Sequence, residues 1–267
     1  MSLRSSLLGF LKVWREDRAF ARLGPGSGRL LGMHYRGRLE ARCGWTPRME
    51  TLRIEHFSRT IELTLSAPYL GAMQGVFLDL EYDCSGLFET PPRRILDLGA
   101  NIGMGALTLS CQFPEAEFLC VEPDPRNLDL LKANLDRNGV ESKIVPAAVG
   151  SAAGTLRLRF DADPTCSALE TSPMHDLAHS TEVKVMTVPD LLRERGWDRV
   201  DLMKIDIEGT EDPLLLEENE WLEKVNAIIL EIHPNTTPER IANGLSGFGF
   251  SLRRHGHGRE PVYLATR

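Results

Sequence analysis

Hydrophobic and polar positions over the last two-thirds of the chain follow two alternating patterns. Short apolar runs, typical of buried strands, are separated by segments in which apolar residues recur with the period of a helix. The predicted strands are Arg94–Leu98, Phe118–Val121, Lys143–Val145, Thr155–Phe160, Val183–Met186, Val200–Ile205, Ala227–Ile232, Phe248–Arg253 and Pro261–Ala265. Strands that alternate with helices predict βαβ units and a mostly parallel sheet. The last two strands have no helix between them and predict an antiparallel pair at one edge.

The helices between these strands are predicted from both periodicity and end signals. Asp124 and Pro125 open one helix, as its N-cap and first helical residue. Thr187 and Asp190 have the spacing of a capping box at the start of another. The remaining predicted helices are Ile102–Gln112, a helix that begins at Asp212-Pro213, and Pro238–Leu245. Together, these elements predict a doubly wound α/β domain.

The first quarter of the chain has a different pattern. Residues 3–20 carry apolar side chains at helical spacing, residues 22–50 are rich in Gly and Arg and are predicted to be irregular, and residues 51–65 alternate as in a hairpin. We therefore divide the chain into an N-terminal helix and hairpin extension, residues 1–75, and a main domain, residues 76–267.

The N-terminal part also differs in charge. The net charge of the chain is −7, but residues 1–60 carry a net charge of +7 and the remaining residues one of −14. An acidic body argues against nucleic acid as the main partner. The apolar stripe of residues 3–14 predicts a helix that packs on the domain or on a second subunit of a homodimer. We favour this over contact between that helix and a membrane surface.

Composition places the chain among ordinary soluble globular proteins. It has 267 residues, of which 42% are hydrophobic and 26% charged. It contains no apolar run of the roughly 18 residues that a membrane span requires, and charged residues interrupt the apolar N-terminus. We therefore predict a cytoplasmic protein without a signal peptide. The five cysteines include no C-x-x-C pair, which predicts reduced thiols and neither a disulfide framework nor a zinc site.

The most informative segment is a glycine-rich loop between the first strand and the first helix of the main domain. It runs from Asp97 through Gly99 and Asn101 to Gly103 and has the form D-x-G-x-x-x-G. Glycine allows a tight turn and close approach of a ligand to the main chain, and the start of the following helix attracts an anionic group. The loop lacks the G-K-[ST] of a phosphate-binding P-loop and the G-x-G-x-x-G spacing of dinucleotide-binding enzymes.

Acidic residues at two strand ends favour S-adenosylmethionine (SAM) as the ligand of this loop. SAM carries a sulfonium cation, an ammonium and a carboxylate. Asp97 could face the cationic groups, whereas a dinucleotide pyrophosphate would gain nothing from it. Glu122, before Pro123, occupies the place where an acid binds ribose hydroxyls in nucleotide-binding sheets, for SAM and NAD alike. The predicted cofactor-binding residues are Asp97, Gly99, Asn101, Gly103, Glu122 and Pro123.

Two further strands also end in charged residues. Asp206 follows one strand, and Glu231 and His233 stand at the end of another. Charged residues are unusual in a buried sheet, and open α/β sheets bind ligands at the carboxyl ends of their strands. Glu231 and His233 have the same parity and project to one side. Because adjacent strands lie about 4.8 Å apart, Asp206 and Glu231 could share one pocket if their strands are neighbours.

Several of these segments resemble the FkbM-type family of SAM-dependent methyltransferases. The resemblance covers roughly residues 75–265. It includes the segment Lys204–Glu211, and the Lys-Ile-Asp-Ile-Glu-Gly stretch at 204–209 is its most specific element. The other matching segments are Val76–Asp83, Ile95–Gly103, Val121–Pro123 and Glu231–Pro234. The resemblance implies a class I, Rossmann-like methyltransferase with a seven-stranded sheet. It also implies O-methylation, often of hydroxyls on sugars or natural products.

We therefore predict methyl transfer from SAM to a hydroxyl of a small molecule, sugar or natural product. A neutral hydroxyl is a poor nucleophile, and a positioned base contributes about 10²–10⁴-fold in rate. His233 is the predicted base, with Glu231 or Asp206 orienting it or binding the acceptor. Loops 66–90 and 161–182 are expected to shape the acceptor pocket. The alternatives are an amine or carboxylate acceptor, a SAM-binding protein without turnover, and an NAD-linked oxidoreductase.

A divalent metal ion offers another way to activate the hydroxyl. Asp206, Glu208, Glu231 and His233 present three carboxylates and an imidazole near one sheet edge. Mg²⁺ binds oxygen ligands, and a bound cation would lower the pKa of the hydroxyl. Against this, Glu208 lies beyond its strand, and the four residues lack the tight spacing that marks a zinc site. We therefore favour catalysis without a metal.

Overall fold

A mostly parallel β-sheet forms the centre of the protein. The computed structural model describes residues 28–160, 167–171, 179–256 and 261–267, together with the single residues 14, 15, 18, 21 and 24. Within these residues the helices are α1 (Arg29–Cys43), α2 (Leu70–Phe77), α3 (Met104–Gln112), α4 (Pro125–Arg137), α5 (Val188–Arg195), α6 (Glu211–Leu216) and α7 (Pro238–Ser246). The strands are β1 (Glu50–His56), β2 (Arg59–Leu65), β3 (Arg94–Leu98), β4 (Glu117–Val121), β5 (Ser142–Val145), β6 (Ala148–Val149), β7 (Gly154–Phe160), β8 (Ser167–Leu169), β9 (His179–Met186), β10 (Leu202–Ile205), β11 (Ala227–Glu231), β12 (Ser251–Arg254) and β13 (Val262–Thr266).

Seven of the described strands form this sheet, in the order β12-β13-β11-β10-β3-β4-β5. Neighbours from β11 to β5 are parallel, whereas β13 is antiparallel to both β11 and β12. This confirms the predicted doubly wound, Rossmann-like sheet with an antiparallel pair at one edge. Because β10 lies between β3 and β11, the glycine loop, Asp206 and Glu231 come from adjacent strand ends.

Alternate residues of the central strands pack on opposite faces of the sheet. Ile95 and Phe118 belong to a hydrophobic cluster with side chains of α2, α3 and α4. The next residues along the same strands, Leu96 and Leu119, belong to a second cluster with side chains of α5, α6 and α7. All four residues of β10 are buried. Helices therefore cover both faces, and strands buried on both faces have the near-continuous apolar sequences seen here.

Two of the predicted helix starts are confirmed by their side-chain caps. The carboxylate of Asp124 accepts a hydrogen bond from the Arg126 amide at 2.9 Å, and Pro125 is the first residue of α4. The hydroxyl of Thr187 accepts one from the Asp190 amide at 3.2 Å at the start of α5. These bonds satisfy amides that the helix itself leaves without a partner.

The predicted hairpin is formed by β1 and β2. Phe57 and Ser58 make its two-residue turn with φ angles of 45° and 60°, the left-handed conformation of a type I′ turn. Its inward side chains, Leu52, Ile54, Ile61, Leu63 and Leu65, are buried in the same cluster as one face of the main sheet. The hairpin therefore shares the core of the main domain, while the division of the chain at residue 75 stays a prediction.

Asn134 of α4 attaches the hairpin to the domain. Its side-chain oxygen accepts from the Thr64 amide at 2.9 Å, and its amide nitrogen donates to the carbonyls of Thr64 and Ile102 at 3.1 and 2.9 Å. We expect Asn134→Leu to lower the free energy of unfolding by about 2 kcal/mol, because it strips partners from buried polar groups. Asp129→Leu, at an exposed position of α4, should change it by less than about 0.5 kcal/mol. Urea denaturation measures both, and equal effects would contradict this role.

The prediction that residues 22–50 are irregular is wrong, because Arg29–Cys43 forms the helix α1. Gly28 and Gly44 flank the helix in the left-handed conformation. Inside it, Gly37 lies against Ala67, where an added Cβ would come within 2.3 Å of the Ala67 Cβ. Glycine weakens a helix by about 1 kcal/mol relative to alanine. Here it permits close packing, which the local sequence does not reveal.

Some predictions fall on residues outside those that the structure describes. The apolar stripe of residues 3–14 does so except for Trp14, and so do residues 161–166 and 172–178 of the predicted pocket loop. Cys43, Cys84, Cys111 and Cys120 are free thiols. Among the helices that can be described, none combines the length and apolar character needed to cross a bilayer.

Candidate active site

A cavity of about 560 Å³ opens at the carboxyl ends of β3, β4, β10 and β11. Most residues predicted for cofactor binding and catalysis line it: Gly99, Asn101, Glu122, Pro123, Asp206, Glu231 and His233. Residues 71–82 and the small sheet of β6 to β9 supply further walls, including Leu158 and Leu169. The two predicted half-sites therefore belong to one cavity. Asp97 and Gly103 do not line it.

The glycine loop passes very close to the end of β10. Gly99 has a φ of 77°, and a Cβ added to it would lie 1.8 Å from the carbonyl oxygen of Asp206. No side chain fits there, so Gly99 is required by contact between the two strand ends. Gly103 is the N-cap of α3 with a φ of 92°, and its Cβ would meet Leu131 at 3.0 Å. Packing against α4 already explains why residue 103 is a glycine. Direct contact of Gly103 with a cofactor therefore stays a prediction.

Glu122 is buried at the end of β4 and held by three donors. One oxygen accepts from the Asn101 amide at 2.7 Å, and the other from the Asp124 amide at 2.9 Å and the Asn127 side chain at 3.3 Å. Burial raises the pKa of Glu122 to about 7, although these hydrogen bonds oppose the rise. Its carboxylate therefore uses three of about four acceptor positions in these bonds.

Asp97 forms an ion pair with Lys204, a residue for which the sequence suggested no role. The ammonium of Lys204 lies 3.2 Å from Asp97 and 3.5 Å from Asp206, and it donates to the Gly99 carbonyl at 2.6 Å. Burial works against this cation, but the carboxylates of Asp97 and Asp206 outweigh it and raise the pKa of Lys204. Contact of Asp97 with a cofactor cation stays a prediction. In the structure, burial raises the pKa of Asp97, and the Lys204 ammonium opposes that rise.

His233 is buried and held by a carboxylate that sequence reasoning missed. Its Nδ1 lies 2.8 Å from an oxygen of Glu211, which is completely buried and also accepts from the Gly209 amide at 3.1 Å. Because a carboxylate only accepts, Nδ1 carries the proton of this bond. Nε2 lies 3.5 Å from Glu208 and 3.6 Å from Glu231, too far for good hydrogen bonds. The ring is therefore fixed with Nε2 at the cavity.

The charges around His233 favour its protonated form. Burial opposes that form, but the hydrogen bond to Glu211 and the charges of Glu211, Asp206 and Glu231 outweigh it and raise the pKa of His233 to about 9. With this pKa the imidazole is a cation at neutral pH. A general base must be neutral before it accepts a proton, so a base role requires something to lower this pKa.

Metal-binding groups also meet at this position. Atoms of Asp206, Glu208 and His233 lie within 4.8 Å of one another, close enough to surround a cation. Two carboxylates and an imidazole suit Mn²⁺ or Mg²⁺ with several waters. The ion pairs of His233 account for the same arrangement without a cation. The preference for metal-free catalysis stays a prediction.

Tyr82 completes the acidic end of the cavity. Its hydroxyl donates to Asp206 at 3.4 Å, and its ring lies 5.6 Å from the Lys204 ammonium. The sequence signal for Lys204 was a charged residue inside an apolar strand, where only a partnered charge is tolerated. For Glu211 the signal was its place in the segment 204–211, which resembles the FkbM-type family. That resemblance did not indicate that Glu211 would contact His233.

Comparison with known proteins indicates the family of the chain. Residues 97–252, more than half of the chain, match the methyltransferase FkbM domain. The methyltransferase sdnD of Sordaria araneosa is 29% identical over 211 residues, which cover 67% of this chain and 81% of the relative. The 31-O-demethyl-FK506 methyltransferase FkbM of Streptomyces tacrolimicus is 25% identical over 250 residues, 82% of this chain and 94% of the relative.

Solved structures of methyltransferases resemble the fold as well. Fibrillarin of Aeropyrum pernix in complex with SAM superposes with a TM-score of 0.42 and 17% identity, covering 70% of this chain and 73% of that one. This likeness concerns the fold alone. The match of the family over residues 97–252 and the FkbM relatives carry the assignment. The chain belongs to the FkbM family of methyltransferases.

Proposed function

We propose that the chain transfers a methyl group from SAM to a hydroxyl of a small molecule, sugar or natural product. The observation that carries the proposal is the division of one cavity into an apolar end beside Glu122 and an acidic end beside His233. The volume of about 560 Å³ is that of a small-molecule site. The Streptomyces relative is named for methylation at an oxygen of a natural product, which supports a hydroxyl acceptor.

The apolar end fits the adenosine part of the cofactor. Ala147, Val149, Leu158 and Leu169 give it uncharged walls suited to a purine ring. Beside them, Glu122 retains an acceptor position that a ribose hydroxyl would fill. Asn101 of the glycine loop and Pro123, which follows Glu122, also line the cavity. Lys204 supports this end by holding the Gly99 carbonyl and balancing Asp97.

The acidic end fits the reacting groups. When bound, SAM supplies an electrophilic methyl group on a sulfonium cation, which the carboxylates of Asp206 and Glu231 favour. The same carboxylates can accept hydrogen bonds from acceptor hydroxyls. His233 then takes the hydroxyl proton at Nε2 while Glu211 holds Nδ1–H and fixes the ring. An acceptor carboxylate would meet repulsion from these groups, which favours a neutral acceptor.

The proposal also covers the cellular location of the enzyme and the class of substrate on which it acts. The net charge of −14 beyond residue 60 supports action on small molecules or glycans rather than on nucleic acid. We infer a cytoplasmic enzyme, because its cysteines include no C-x-x-C pair and the described ones are free thiols.

Calorimetry of cofactor binding tests the assignment of the cavity. We expect the protein to bind both SAM and its product S-adenosylhomocysteine (SAH). Glu122→Ala should weaken both by about tenfold or more, because a charged acceptor of the ribose is lost. Glu115→Ala, which removes an exposed carboxylate just before β4, is the matched control and should leave both affinities unchanged. Unchanged affinity in a folded Glu122→Ala protein would remove Glu122 from the site.

A further inference from the structure

The end of α1 and the segment that follows it expose large apolar side chains outside the cavity lining. Leu39, Trp45 and Met49 keep 51%, 60% and 46% of their surface exposed. A single exposed apolar side chain is ordinary, but a cluster of large ones indicates an interaction surface. We call this region the α1 surface and define it by Arg38, Leu39, Arg42, Trp45, Arg48 and Met49.

The segment after α1 turns back along the helix. The Arg48 amide donates to the side chain of Glu40 at 3.3 Å, near the end of α1. Two positions later, Glu50 forms ion pairs with Arg36 and, at 3.5 Å, with Arg29. These partners lie progressively closer to the start of α1, so the segment runs antiparallel to the helix. The exposed side chains of the helix and of the segment therefore belong to one surface.

The α1 surface is also positively charged. Arg38, Arg42 and Arg48 are exposed, and none of them forms an ion pair with an acidic side chain that the structure describes. Glu40 is the one acidic residue in the sequence from 28 to 49, and it is buried. This part of the surface therefore carries arginines without exposed carboxylates that would weaken their attraction for an anionic partner.

We propose that the α1 surface docks on an anionic lipid bilayer, with Leu39, Trp45 and Met49 entering the membrane interface and the three arginines facing the lipid headgroups. Tryptophan is enriched at this interface, where its ring lies at the level of the headgroups. Arginine places its apolar stem along such a surface and its guanidinium beside anionic lipids. The proposal does not depend on methyl transfer, and it concerns a different helix from the one predicted at residues 3–14.

Two other partners fit the α1 surface less well. In a two-fold dimer the same patch of each copy faces its counterpart, so the three arginines would approach three arginines and repel them. Single-stranded nucleic acid is anionic and stacks on aromatic side chains, which would use Trp45. It offers no apolar medium for Leu39 and Met49, whereas the bilayer interface offers both that medium and the negative charge.

Sedimentation of the full chain with lipid vesicles tests the proposal. One set of vesicles contains phosphatidylserine mixed into phosphatidylcholine, and the other contains phosphatidylcholine alone. We expect an affinity about 10²-fold higher for the anionic vesicles, because each arginine near an anionic surface contributes about fivefold. Salt at about 1 M should remove most of this difference, because it screens charges beyond about 3 Å.

Paired substitutions of arginines locate the contact. Arg38→Gln combined with Arg42→Gln should lower the affinity for the anionic vesicles by about 25-fold and leave that for phosphatidylcholine nearly unchanged. Arg157→Gln combined with Arg159→Gln removes the same charge from exposed positions of β7, outside the α1 surface and the cavity lining. This matched control should bind both kinds of vesicle as the wild type does.

Quenching of tryptophan fluorescence shows whether Trp45 enters the interface. Vesicles with brominated acyl chains quench a tryptophan that reaches the lipid. We expect the wild type to be quenched on anionic vesicles, and we expect Trp45→Phe to bind the same vesicles with much less quenching. Trp45→Ser should weaken binding as well, because it removes the apolar ring. Quenching that is unchanged in Trp45→Phe would contradict the proposal.

Several outcomes would overturn the proposal. Equal affinity for the two kinds of vesicle, or binding to neither, would do so. Equal losses in the two arginine pairs would mean that the charge of the whole chain, and not the α1 surface, attracts the bilayer. A dimer that Trp45→Ser dissociates, in a protein that binds no vesicles, would show that a second copy covers the surface. Single-stranded RNA that binds more tightly than the vesicles, and that Arg38→Gln with Arg42→Gln releases, would assign the surface to nucleic acid.

Discussion

Lys204→Met should lower the free energy of unfolding by about 3–5 kcal/mol, because it removes the cation that pairs with the buried carboxylate of Asp97. Asp97 is completely buried, and Lys204 is the cation at 3.2 Å from it. The same change removes the donor to the Gly99 carbonyl. Urea denaturation of the two proteins measures the loss.

A double variant distinguishes a loss of stability caused by an unpaired charge from one caused by poor packing. Asp97→Leu combined with Lys204→Met replaces the whole ion pair by apolar side chains, which is often neutral for stability. The double variant should therefore be much more stable than Lys204→Met alone. Arg93→Met, which breaks an exposed ion pair with Glu115, should cost no more than about 1 kcal/mol. A double variant no more stable than the single one would contradict the pairing of Asp97 with Lys204.

His233→Gln should lower turnover by about 10²–10⁴-fold, the usual contribution of a positioned base. Glutamine can still hydrogen-bond Glu211 but cannot take the proton of an acceptor hydroxyl. Affinity for SAH should change by less than about threefold, because the adenosine end of the cavity is untouched. Single-turnover rates with saturating SAM give the chemical step directly.

Chelation of metals provides the control for this interpretation. Wild-type activity should survive exhaustive chelation if His233 is the base. Activity that is lost on chelation and restored by Mg²⁺ or Mn²⁺ would contradict it. Asp206, Glu208 and His233, whose ligand atoms lie within 4.8 Å of one another, would then be the ligands.

The order of elements in the main domain could be predicted because its signals are local. Capping by Asp124 and Thr187 and the apolar runs of β3, β4, β10 and β11 depend on nearby residues. The topology of doubly wound sheets then predicts which strand ends lie next to one another. The meeting of Glu122, Asp206 and His233 at one cavity was therefore accessible from the sequence.

The partners of buried charges could not be predicted in the same way. Lys204 and Asp97 are more than 100 positions apart, and only the register of β10 on β3 brings them together. Glu211 reaches His233 across 22 positions, through the fold of the loop before α6. The helix α1 was missed because Gly37 is favoured by contact with Ala67, a tertiary effect that overrides helix propensity.

Transfer of a ¹³C-labelled methyl group from SAM is the most direct test of the central claim. The purified protein is incubated with labelled SAM and a panel of polyhydroxylated acceptors, each paired with an amine and a carboxylate analogue. We predict that the label appears as a methyl ether, with SAH formed in equal amount, and that His233→Gln abolishes the signal. A label recovered on nitrogen or as a methyl ester, or a protein that does not bind SAM, would contradict the account.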